Sequence, residues 1–541
     1  MAQEFKLKDI TTLSNLKNCD KQEAEVEGIE GGKVVIVKVQ DQVHALNANC
    51  THYGAPLAKG VVSPEGRIVC PWHGACFNVK TGDVEDSPAP DHLHKFDIFE
   101  KDGAVYIKGS QDNIKAGRRQ PKFHVKSSGQ EKVVVIGGGS GTFGAVQKLR
   151  EHGFKGSITV ISNEGLPIDR TKLSKALITD PSKVWLRNEQ WYKDADIDFV
   201  SDTASSVDFK NKSVSTKSGS SYKYTKLILA SGGTPKKLPL PGMDLDNIFL
   251  LRHINNAQDI MNAVGDKGKK VVVIGSSFIG MEVANALAKE NDVTVIGMEE
   301  APMDRIMGSK VGKLFQGLLE KNGAKFQLNA SVDSAVPKSN GSNAVGGIKL
   351  KNGTTLEADL VILGVGVAPG TEYVKDNNDV QLEKDGSFSV DENFAVKGVK
   401  DVYAIGDIAT YPYHGPGGNG KPVRIEHWNV AQNMGRSVGQ RIAKPDQEQH
   451  PFIPIFWSAL GSQLRYCGHT PDGYDDVITD GELNPDQPSF VAYYTKGDEV
   501  VAVASMMKDP AMSKAAELMR VGKMLSKQDL QGGKDLLQAN L

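Results

Sequence analysis

One short pattern restricts the chemistry, and with it the fold, of the N-terminal part of this 541-residue chain. Cys50-Thr51-His52 is followed after 17 residues by Cys70-Pro71-Trp72-His73, which gives the spacing C-x-H-x17-C-x2-H. In a Rieske centre, one iron of a [2Fe–2S] cluster takes two Cys ligands and the other iron takes two His ligands. Because each half of the pattern supplies one Cys and one His, two facing loops can each give one ligand to each iron.

A Cys2His2 zinc site is the alternative interpretation of this pattern. Zinc sites, however, usually pair Cys with Cys and His with His at close spacing, so the interleaved order favours the Rieske cluster. Gly54 and Gly74 suit tight loops around a cluster, and the Pro-rich stretch 87–90 predicts a rigid third loop over it. The predicted cluster ligands are Cys50, His52, Cys70 and His73.

The sequence around this pattern changes character along the chain. The first 110 residues contain short strand-like runs separated by turn residues, for example 33–39 and 104–107, and predict a small all-β domain. Residues 111–130 are polar and basic without periodicity, which predicts a linker. From about residue 451 the pattern is β again and is followed by an amphipathic helix at 512–525, which predicts an α+β C-terminal domain.

Composition places the chain among ordinary globular proteins. The net charge is −2, and no basic stripe indicates a nucleic-acid partner. The three cysteines outside the pattern are widely scattered, which predicts a reducing compartment without a disulfide framework. The apolar run 271–288 contains glycines and a glutamate and predicts a strand, a turn and a helix instead of a membrane span. Because the N-terminus resembles no targeting signal, we expect a cytoplasmic protein, with mitochondrial association as the alternative.

A first nucleotide-binding motif begins after the linker. The buried strand-like run 133–136 leads into a glycine-rich turn and a helix-like stretch from Ala145 to His152, an arrangement that can dock a pyrophosphate on a helix N-terminus. The register of this turn has two solutions. The three motif positions fall either on Gly137, Gly139 and Thr142 or on Gly139, Gly141 and Gly144. Glu164, after the next strand, lies at the right distance for a carboxylate on a ribose hydroxyl.

A second copy of this motif follows, with Gly275, Ser277 and Gly280 at the motif positions. Two dinucleotide folds in one chain predict a flavin and a nicotinamide cofactor side by side. Two further marks support a flavoprotein: the stretch 229–235, which contains Gly232, and the strand that ends in Gly406-Asp407.

With these motifs in hand, the chain resembles the apoptosis-inducing-factor-like flavoproteins that carry an N-terminal Rieske domain, and the resemblance covers nearly all of it. The FAD and NAD parts are also similar to reductases that serve Rieske-type ferredoxins in aromatic-ring dioxygenase systems. The resemblance implies FAD, NAD(H) and a [2Fe–2S] cluster as cofactors. It also implies an electron acceptor that the sequence does not name, a protein among the alternatives.

The resemblance assigns roles to particular side chains of this sequence. Arg170 and Lys175, in the stretch 167–175, would line the flavin, with Lys175 at its N5 edge and paired with Glu282 beside the nicotinamide. A cation at this edge suits hydride transfer, since it stabilises negative charge that develops on the flavin. Lys175 and Glu282 are therefore the predicted catalytic residues.

The same resemblance implies further contacts with the flavin. Asp407 would bind the ribityl chain, and His427 and Trp428 would lie at the pyrimidine end of the ring. Trp457 would lie at the same end, near the place where a ferredoxin docks.

The sequence departs from the family pattern at the end of the second NAD strand. Gly297 stands where NAD-preferring relatives often carry an acidic residue, but Glu299 and Glu300 follow closely. This acidic pair should repel a 2′-phosphate, so NADH is favoured over NADPH. The flavin half has no C-x4-C or C-x-x-C pair, which counts against a disulfide reductase.

The cluster loops also differ from those of high-potential Rieske proteins, which add a disulfide between the ligand loops and hydroxyl donors to the cluster sulfurs. The corresponding positions here are Ala55 and Trp72 for the disulfide and Ala75 and Phe77 for the hydroxyls. We therefore expect a low-potential cluster.

The predicted fold is multidomain: an all-β Rieske domain, an α/β flavoprotein part with two dinucleotide-binding domains, and an α+β C-terminal domain. The FAD domain would be interrupted by the NAD domain. In chain order, the predicted boundaries are 1–110 for the Rieske domain, 111–130 for the linker, 131–252 for the first part of the FAD domain, 253–389 for the NAD(H) domain, 390–450 for the second part of the FAD domain, and 451–541 for the C-terminal domain.

The function that these expectations favour is an oxidoreductase that passes electrons from NADH through FAD to the fused Rieske centre. A signalling or interaction protein, whose redox cofactors mainly shape a binding surface, is the alternative. A Rieske oxygenase is not favoured, because no separate module carries a 2-His-1-carboxylate iron site. The sequence leaves the oligomeric state open.

Overall fold

The computed structural model describes residues 3–339, 341–449 and 451–541. Its N-terminal part consists of two antiparallel sheets, one of six strands and one of four. Their strands are β1 Gln3–Lys6, β2 Lys21–Glu25, β3 Lys33–Val39, β4 Gln42–Asn47, β5 Val61–Val62, β6 Arg67–Val69, β7 Cys76–Asn78, β8 Val84–Asp86, β9 Lys95–Lys101 and β10 Ala104–Gly109. The smaller sheet, in the order β5-β6-β7-β8, supports the second ligand loop between β6 and β7.

Strand β3 shows why this part folds as it does. Successive side chains of a strand point to opposite faces, so a run of β-branched residues can fill two cores. Val35, Val37 and Val39 pack with the cysteines of the ligand loops. Val34 and Ile36 pack on the opposite face against the strands at the edge of the larger sheet.

The segment predicted as a linker is more ordered than its composition suggests. It begins with helix α1 (Gln111–Ala116), which Ser110 caps by accepting a hydrogen bond from the N–H of Asn113. Farther along, the indole of Trp191 donates to the carbonyl of Pro121 at 2.8 Å. Because a polar segment without periodicity can still satisfy its hydrogen bonds against a neighbouring domain, the sequence pattern alone did not indicate this packing.

The first dinucleotide-binding domain has a five-stranded parallel sheet at its centre. Its first part contains β11 Lys132–Ile136, α2 Ser140–Glu151, β12 Ser157–Ile161, α3 Thr171–Ala176, α4 Glu189–Asp194, β13 Ile197–Val200, β14 Ala204–Asp208, β15 Ser213–Thr216, β16 Ser221–Lys223, β17 Lys226–Leu229 and β18 Gly233–Pro235. The parallel order is β13-β12-β11-β17, and the later strand Val402–Ala404 completes the sheet beside β17.

The second dinucleotide-binding domain is inserted into the first. It contains β19 Ile248–Leu250, α5 Ile254–Val264, β20 Lys270–Ile274, α6 Phe278–Leu287, β21 Asp292–Ile296, α7 Asp304–Lys321, β22 Lys325–Gln327, β23 Val332–Pro337, β24 Val345–Leu350, β25 Thr355–Glu357, β26 Leu360–Leu363 and β27 Val367–Pro369. Its parallel sheet has the order β19-β26-β20-β21-β22. The run 271–288 is thus a strand, a turn and a helix, as predicted.

The chain then returns to the first domain and ends in a third unit. The return contains β28 Phe388–Ser389, β29 Val402–Ala404, β30 Ala409–Tyr413, β31 Lys421–Val423 and α8 Trp428–Ala443. The C-terminal unit is a five-stranded antiparallel sheet with helices on it, formed by β32 Ile455–Ala459, β33 Gln463–Gly468, β34 Asp476–Glu482, β35 Ser489–Lys496, β36 Glu499–Met506, α9 Ala511–Arg520 and α10 Lys527–Gln531. Helix α9 ends before the predicted residue 525, since Gly522 turns the backbone into the left-handed region.

The chain passes from the first dinucleotide-binding domain to the second, and later back again, before the predicted boundaries at residues 253 and 390. Strand β19 already pairs with β26 of the inserted domain. After β27, Val374 and Val380 already pack in the core of the first domain. One face of the C-terminal sheet shares its core with the inserted domain, through Leu464 and Phe490 among others, so these two units are separate along the chain but not in their packing.

Within the described ranges, no helix combines the length and the apolar character that crossing a membrane requires.

Candidate active site

The two ligand loops are built by the same backbone turn. In the first loop, the N–H of Cys50 donates to the carbonyl of Ala55 at 2.8 Å, and in the second the N–H of Cys70 donates to that of Ala75 at the same distance. Gly54 and Gly74 occupy the left-handed region, with φ of 80° and 70°, and close the two turns. The repeat places the two Cys residues in equivalent positions, whereas His52 follows its Cys by two residues and His73 by three.

The four predicted ligands meet as two like pairs. His52 Nδ1 lies 3.1 Å from His73 Nδ1, and the thiols of Cys50 and Cys70 are in hydrogen-bonding contact with each other. Among the described residues, no three His, Cys, Asp or Glu side chains are grouped as a single-ion site requires. The observed division into two sulfurs and two imidazole nitrogens is the donor set of a Rieske cluster.

The protonation of the two imidazoles and the backbone contacts of one thiol fit cluster ligands, whereas contact with Cys70 and burial raise the pKa of the Cys50 thiol. Burial lowers the pKa of His52 to about 4, so its imidazole is neutral, as a metal ligand must be. Burial, together with the charges of His52, Arg465 and Lys175, holds the pKa of His73 well below its usual range. The backbone N–H groups of Trp72 and His73 point at the sulfur of Cys70, where they stabilise a thiolate.

The third loop lies over the cluster site as predicted for stretch 87–90. Ala89 is buried in the same apolar cluster as Cys50 and Cys70. The hydroxyl of Thr51 donates to the carbonyl of Asp91 at 2.6 Å, which ties the first ligand loop to the end of this cover.

A single cavity of about 920 Å³ runs between the two dinucleotide-binding domains. Such a volume is at the upper end of the range for ligand sites and suits large cofactors. Predicted residues from both dinucleotide-binding domains and from the C-terminal unit line it: Gly137, Gly139, Gly141, Glu164, Arg170, Lys175, Gly232, Ser277, Glu282, Asp407, His427, Trp428 and Trp457.

Both predicted pyrophosphate turns open into this cavity. Helix α2 begins at Ser140 with Gly139 as its N-cap, and α6 begins at Phe278 with Ser277 as its N-cap. No side chain of the described residues caps either helix, so the first N–H groups remain available to an anion. A Cβ on Gly139 would meet nothing within 4 Å, which leaves room for a phosphate to approach the backbone. The residues therefore fit two dinucleotides.

The geometry of the first turn corresponds to the register Gly137, Gly139 and Thr142. Gly137 has φ of 106°, and a Cβ there would lie 2.2 Å from the carbonyl oxygen of Ala230. The hydroxyl of Thr142 donates back to the carbonyl of Gly137 at 2.6 Å. Gly141 touches the cavity, but it lies inside α2, which starts more than one turn before the predicted Ala145.

Three residues of the described ranges that are predicted to contact a cofactor do not line the cavity and instead stabilise the two turns. Thr142 is fully buried below the first turn. Gly275 has φ of 113°, and a Cβ on it would lie 2.3 Å from the carbonyl oxygen of Gly364. A Cβ on Gly280 would lie 2.0 Å from the carbonyl oxygen of Gly275, so only glycine lets α6 start so close to its strand.

Lys175 and Glu282 form an ion pair in the wall of the cavity. Lys175 Nζ lies 2.9 Å from Glu282 Oε1, and Glu282 is buried. Two hydroxyls also donate to this carboxylate: Ser174 to its second oxygen, and Ser458 to Oε1 at 2.5 Å. The hydroxyls fix the carboxylate, which in turn holds the Lys175 cation at the cavity.

Other charged side chains that line the cavity also form ion pairs. Arg170 and His253 both bind Glu164, at 2.7 Å and 3.0 Å, and these contacts outweigh burial and lower the pKa of that carboxyl. Arg252 binds Asp407 at 2.9 Å. Sequence reasoning missed Arg252 and His253, because the loop after β19 carries no motif.

His427 and Trp428 begin helix α8 at the edge of the cavity. His427 is the N-cap, and its Nδ1 accepts a hydrogen bond from the N–H of Asn429 at 3.2 Å. Burial, and next the charge of Lys175, lowers the pKa of His427 to about 3, so this imidazole is neutral and keeps a proton on Nε2. Trp428 is held by a hydrogen bond from its indole to the carbonyl of Ile168 at 3.3 Å.

Trp457 connects the cavity with the cluster ligands. Its ring centroid lies 4.5 Å from that of His73 and 5.5 Å from that of His52. On the cavity side, the ring of His427 is also 5.5 Å away. The indole N–H of Trp457 is buried without a hydrogen-bond partner in the described part of the chain, so a donor is available to a bound group. The cluster site and the cavity therefore share one wall.

A second contact joins the two sites. Tyr53 stacks on His52 with 3.7 Å between ring centroids, and its hydroxyl donates to Asp169 at 2.5 Å. Asp169 belongs to the stretch 167–175, and Arg170 and Lys175 of that stretch line the cavity. This pair joins residues 116 positions apart in the chain, and no local pattern indicates it.

Buried polar contacts hold the N-terminal domain in this position. Arg67 binds Glu517 of α9 at 3.3 Å, and both side chains are buried. The N–H of Ser87 donates to the side chain of Asn433 of α8 at 2.8 Å. Because these partners are buried, opening the interface would leave polar groups unpaired, which is costly.

The predicted acidic pair, which follows β21 of the inserted domain, is already engaged by cations. Glu299 binds Arg305 at 3.2 Å, and Glu300 binds Lys313 at 3.0 Å. A Cβ on Gly297 would lie 2.4 Å from the hydroxyl of Ser276, so the absence of a side chain there is a packing requirement.

Comparison with known proteins agrees with this arrangement. The family model "Pyridine nucleotide-disulphide oxidoreductase" matches residues 131–435, and the "Rieske [2Fe-2S] domain" model matches residues 8–97. The chain is 36% identical to apoptosis-inducing factor 3 of Homo sapiens over 529 residues, which is 96% of this chain and 85% of that protein. It is 30% identical to rhodocoxin reductase of Rhodococcus erythropolis, over 70% of this chain and 86% of that protein.

A solved structure gives the same result for the flavoprotein part. The ferredoxin reductase for the CYP199A2 system from Rhodopseudomonas palustris superposes with a TM-score of 0.69 at 27% identity. The match covers 76% of this chain and 99% of the reductase.

Proposed function

The chain belongs to the pyridine nucleotide-disulphide oxidoreductase family and carries a Rieske domain, and we propose that it passes electrons from NADH through FAD to its own [2Fe–2S] centre and on to a separate acceptor. It is an oxidoreductase of the ferredoxin-reductase type whose cofactors are FAD, NAD(H) and a [2Fe–2S] cluster. When bound, the nicotinamide supplies a hydride, the flavin divides the electron pair, and the cluster accepts one electron at a time.

The observation that carries this proposal is the wall that the two sites share. Trp457 packs against both predicted His ligands and against His427 of the cavity. Lys175, in the cavity wall, acts electrostatically on His73. An internal electron acceptor held this close has a much higher effective concentration than a free ferredoxin.

The residues around the cavity perform three tasks in this account. The backbone N–H groups at the starts of α2 and α6 bind the two pyrophosphates. Glu282, fixed by Ser174 and Ser458, orients the Lys175 cation. That cation stabilises negative charge where it develops during hydride transfer, and it does so without reorganising at the moment of reaction.

The acceptor beyond the cluster is a one-electron acceptor, and a protein of ferredoxin type is the first candidate, because the superposed structure is named a ferredoxin reductase. The cytoplasmic location stays a prediction.

A variant at one cluster ligand tests the proposal. We expect Cys70→Ser to abolish the EPR signal of the cluster while NADH still bleaches the flavin under anaerobic conditions, because the contacts of the cavity lie in other domains. Cys19→Ser is the matched control, since Cys19 is a half-buried, free cysteine of the same domain and is not a predicted ligand.

Delivery of electrons to one-electron acceptors should fall to the background level in Cys70→Ser and stay at the wild-type level in Cys19→Ser. Undiminished delivery in a Cys70→Ser protein that retains its flavin would contradict the proposed route. It would show that the flavin passes electrons to the acceptor directly and that the cluster is not on the route.

A further inference from the structure

The C-terminal domain reaches the second cluster loop with several buried contacts. The hydroxyl of Ser513, on α9, donates to the carbonyl of Cys70 at 2.7 Å. A Cβ on Gly74 would lie 2.4 Å from Ile455 of β32, so the loop closes directly on this domain. The cluster site is therefore completed by residues that lie more than 380 positions away in the chain.

One of these neighbours is a buried cation, Arg465. It is the residue of β33 that lies opposite Trp457 of β32, and its side chain is only 6% exposed. Its charge acts on Cys70 and on His73, one predicted ligand of each iron. A buried guanidinium interacts with nearby charge much more strongly than one in water, because little solvent screens it.

The carboxylate that pairs with Arg465 is more exposed to solvent than Arg465 itself. Arg465 Nε lies 2.9 Å from Asp509 Oδ1, and Asp509 is 27% exposed. Burial raises the pKa of the Asp509 carboxyl in spite of this cation. Because Asp509 is more exposed than Arg465, solvent screens the carboxylate more than the guanidinium, and we expect the positive charge to prevail at the cluster site.

The charge of the cluster changes when the cluster is reduced. One electron enters without a proton, so the cluster and its two thiolates become more negative by one unit. Net charge and hydrogen bonding are among the factors that set the potential of such clusters. A buried cation stabilises the more negative, reduced state.

We propose that Arg465 raises the reduction potential of the Rieske cluster, so that the C-terminal domain draws electrons from the flavin to the cluster. This inference rests on the proposed function for its purpose, but the effect of Arg465 on the potential is independent of NADH. Asp509 opposes Arg465, so removal of either charge should move the potential in opposite directions.

The test is an EPR-monitored redox titration of the purified holoprotein with mediators and dithionite, with no NADH present. We expect Arg465→Gln to shift the midpoint to a more negative potential and to change the equilibrium between oxidised and reduced cluster about tenfold, which for one electron is about 59 mV. Asp509→Asn should shift the midpoint in the positive direction. Arg465→Lys, which keeps the charge, should restore most of the wild-type value.

Arg520→Gln is the matched control. Arg520 is also a largely buried arginine at the boundary of these two domains, but its charge is taken up by Glu517 at 2.9 Å and Glu65 at 2.7 Å. We expect no shift of the midpoint in this variant.

Equal midpoints in wild type, Arg465→Gln and Asp509→Asn would overturn the inference, as would shifts of the same sign in both variants, which indicate a loosened structure. If Arg465→Gln does not retain its cluster, the Asp509→Asn variant decides whether the inference holds. A positive shift of its midpoint supports the inference, and a negative shift or no shift overturns it. Failure of NADH to reduce the wild-type cluster would count against the proposed function and leave this electrostatic effect in place.

Discussion

Lys175 is a partly buried cation held at the cavity by one fixed carboxylate, and its removal should slow flavin reduction. Glu282 lies 2.9 Å away and cannot stabilise negative charge in its place. Loss of one preorganised electrostatic contact typically costs on the order of 10²-fold in rate. We expect Lys175→Ala to lower the anaerobic rate of flavin bleaching by NADH by about that factor, as measured by stopped-flow absorbance.

The matched control for Lys175→Ala is Lys183→Ala, because Lys183 is an exposed lysine near the same segment. The cluster should stay intact in both variants. A Lys175→Ala protein that holds its flavin and bleaches at the wild-type rate would remove Lys175 from the mechanism.

Glu299 should set the preference for the nicotinamide cofactor. Its carboxylate is 25% exposed and pairs with Arg305, which is 79% exposed. We expect kcat/KM to be higher for NADH than for NADPH by about tenfold or more, which corresponds to about 1.4 kcal/mol. Glu299→Gln should narrow this ratio, since it removes a repelling charge and frees Arg305 to bind a 2′-phosphate.

Steady-state kinetics with both cofactors measures this preference. Glu300→Gln is the control, because Glu300 is more exposed and pairs with Lys313, so its charge is better screened. Wild-type protein that turns over NADPH more efficiently would show that Glu299 does not decide the preference.

The residues around the cluster predict a low potential. Ala75 and Phe77, both fully buried, carry no hydroxyl that could donate to the cluster sulfurs, and each of the five cysteines is free. The midpoint should be below 0 mV and nearer to about −150 mV than to about +300 mV on the Rieske scale. An EPR-monitored titration that places it well above 0 mV would contradict this expectation.

At the scale of elements, helices α2 and α8 depend on glycine for their close packing. A Cβ on Gly435 would lie 1.9 Å from the carbonyl oxygen of Gly141. Both residues belong to helices, and the two helix backbones cannot move apart without a cost in packing. Although alanine favours helices, overpacking here should cost about 1–3 kcal/mol. We expect Gly435→Ala to lower the thermal midpoint of flavin release, followed by flavin fluorescence.

Gln440→Ala, on the partly exposed face of the same helix, should change stability by no more than about 0.5 kcal/mol. A Gly435→Ala protein as stable as wild type would show that the two helices can separate without cost.

The strands and the two glycine-rich turns follow local patterns, which is why sequence reasoning located them. The four predicted cluster ligands also follow a local pattern, and the structure brings them together, but their role as ligands stays a prediction. The start of α2 did not follow such a pattern. Gly141 and Gly144 look like turn glycines, yet they lie inside the helix and let α8 approach. Contacts between distant parts of the chain were also missed, such as Arg252 with Asp407 and Tyr53 with Asp169, since they depend on how domains pack and not on spacing.

At the scale of the whole molecule, the fused domain occupies one fixed place. Three of its contacts with other domains are polar and buried or partly buried: Arg67 with Glu517, Ser87 with Asn433, and Asp91 with Arg187 at 2.7 Å. Together with the packing of Trp457 on His73, they hold the cluster ligands against the cavity wall. In the proposed function, this contact is a short internal route for electrons that does not depend on diffusion of a partner.

The central claim is that this internal route carries electrons, and rapid-freeze EPR of the anaerobic holoprotein mixed with NADH tests it most directly. Our account predicts that the signal of the reduced Rieske cluster appears within the time of one turnover, together with bleaching of the flavin. A flavin that bleaches fully while the cluster stays oxidised over many turnovers would contradict it.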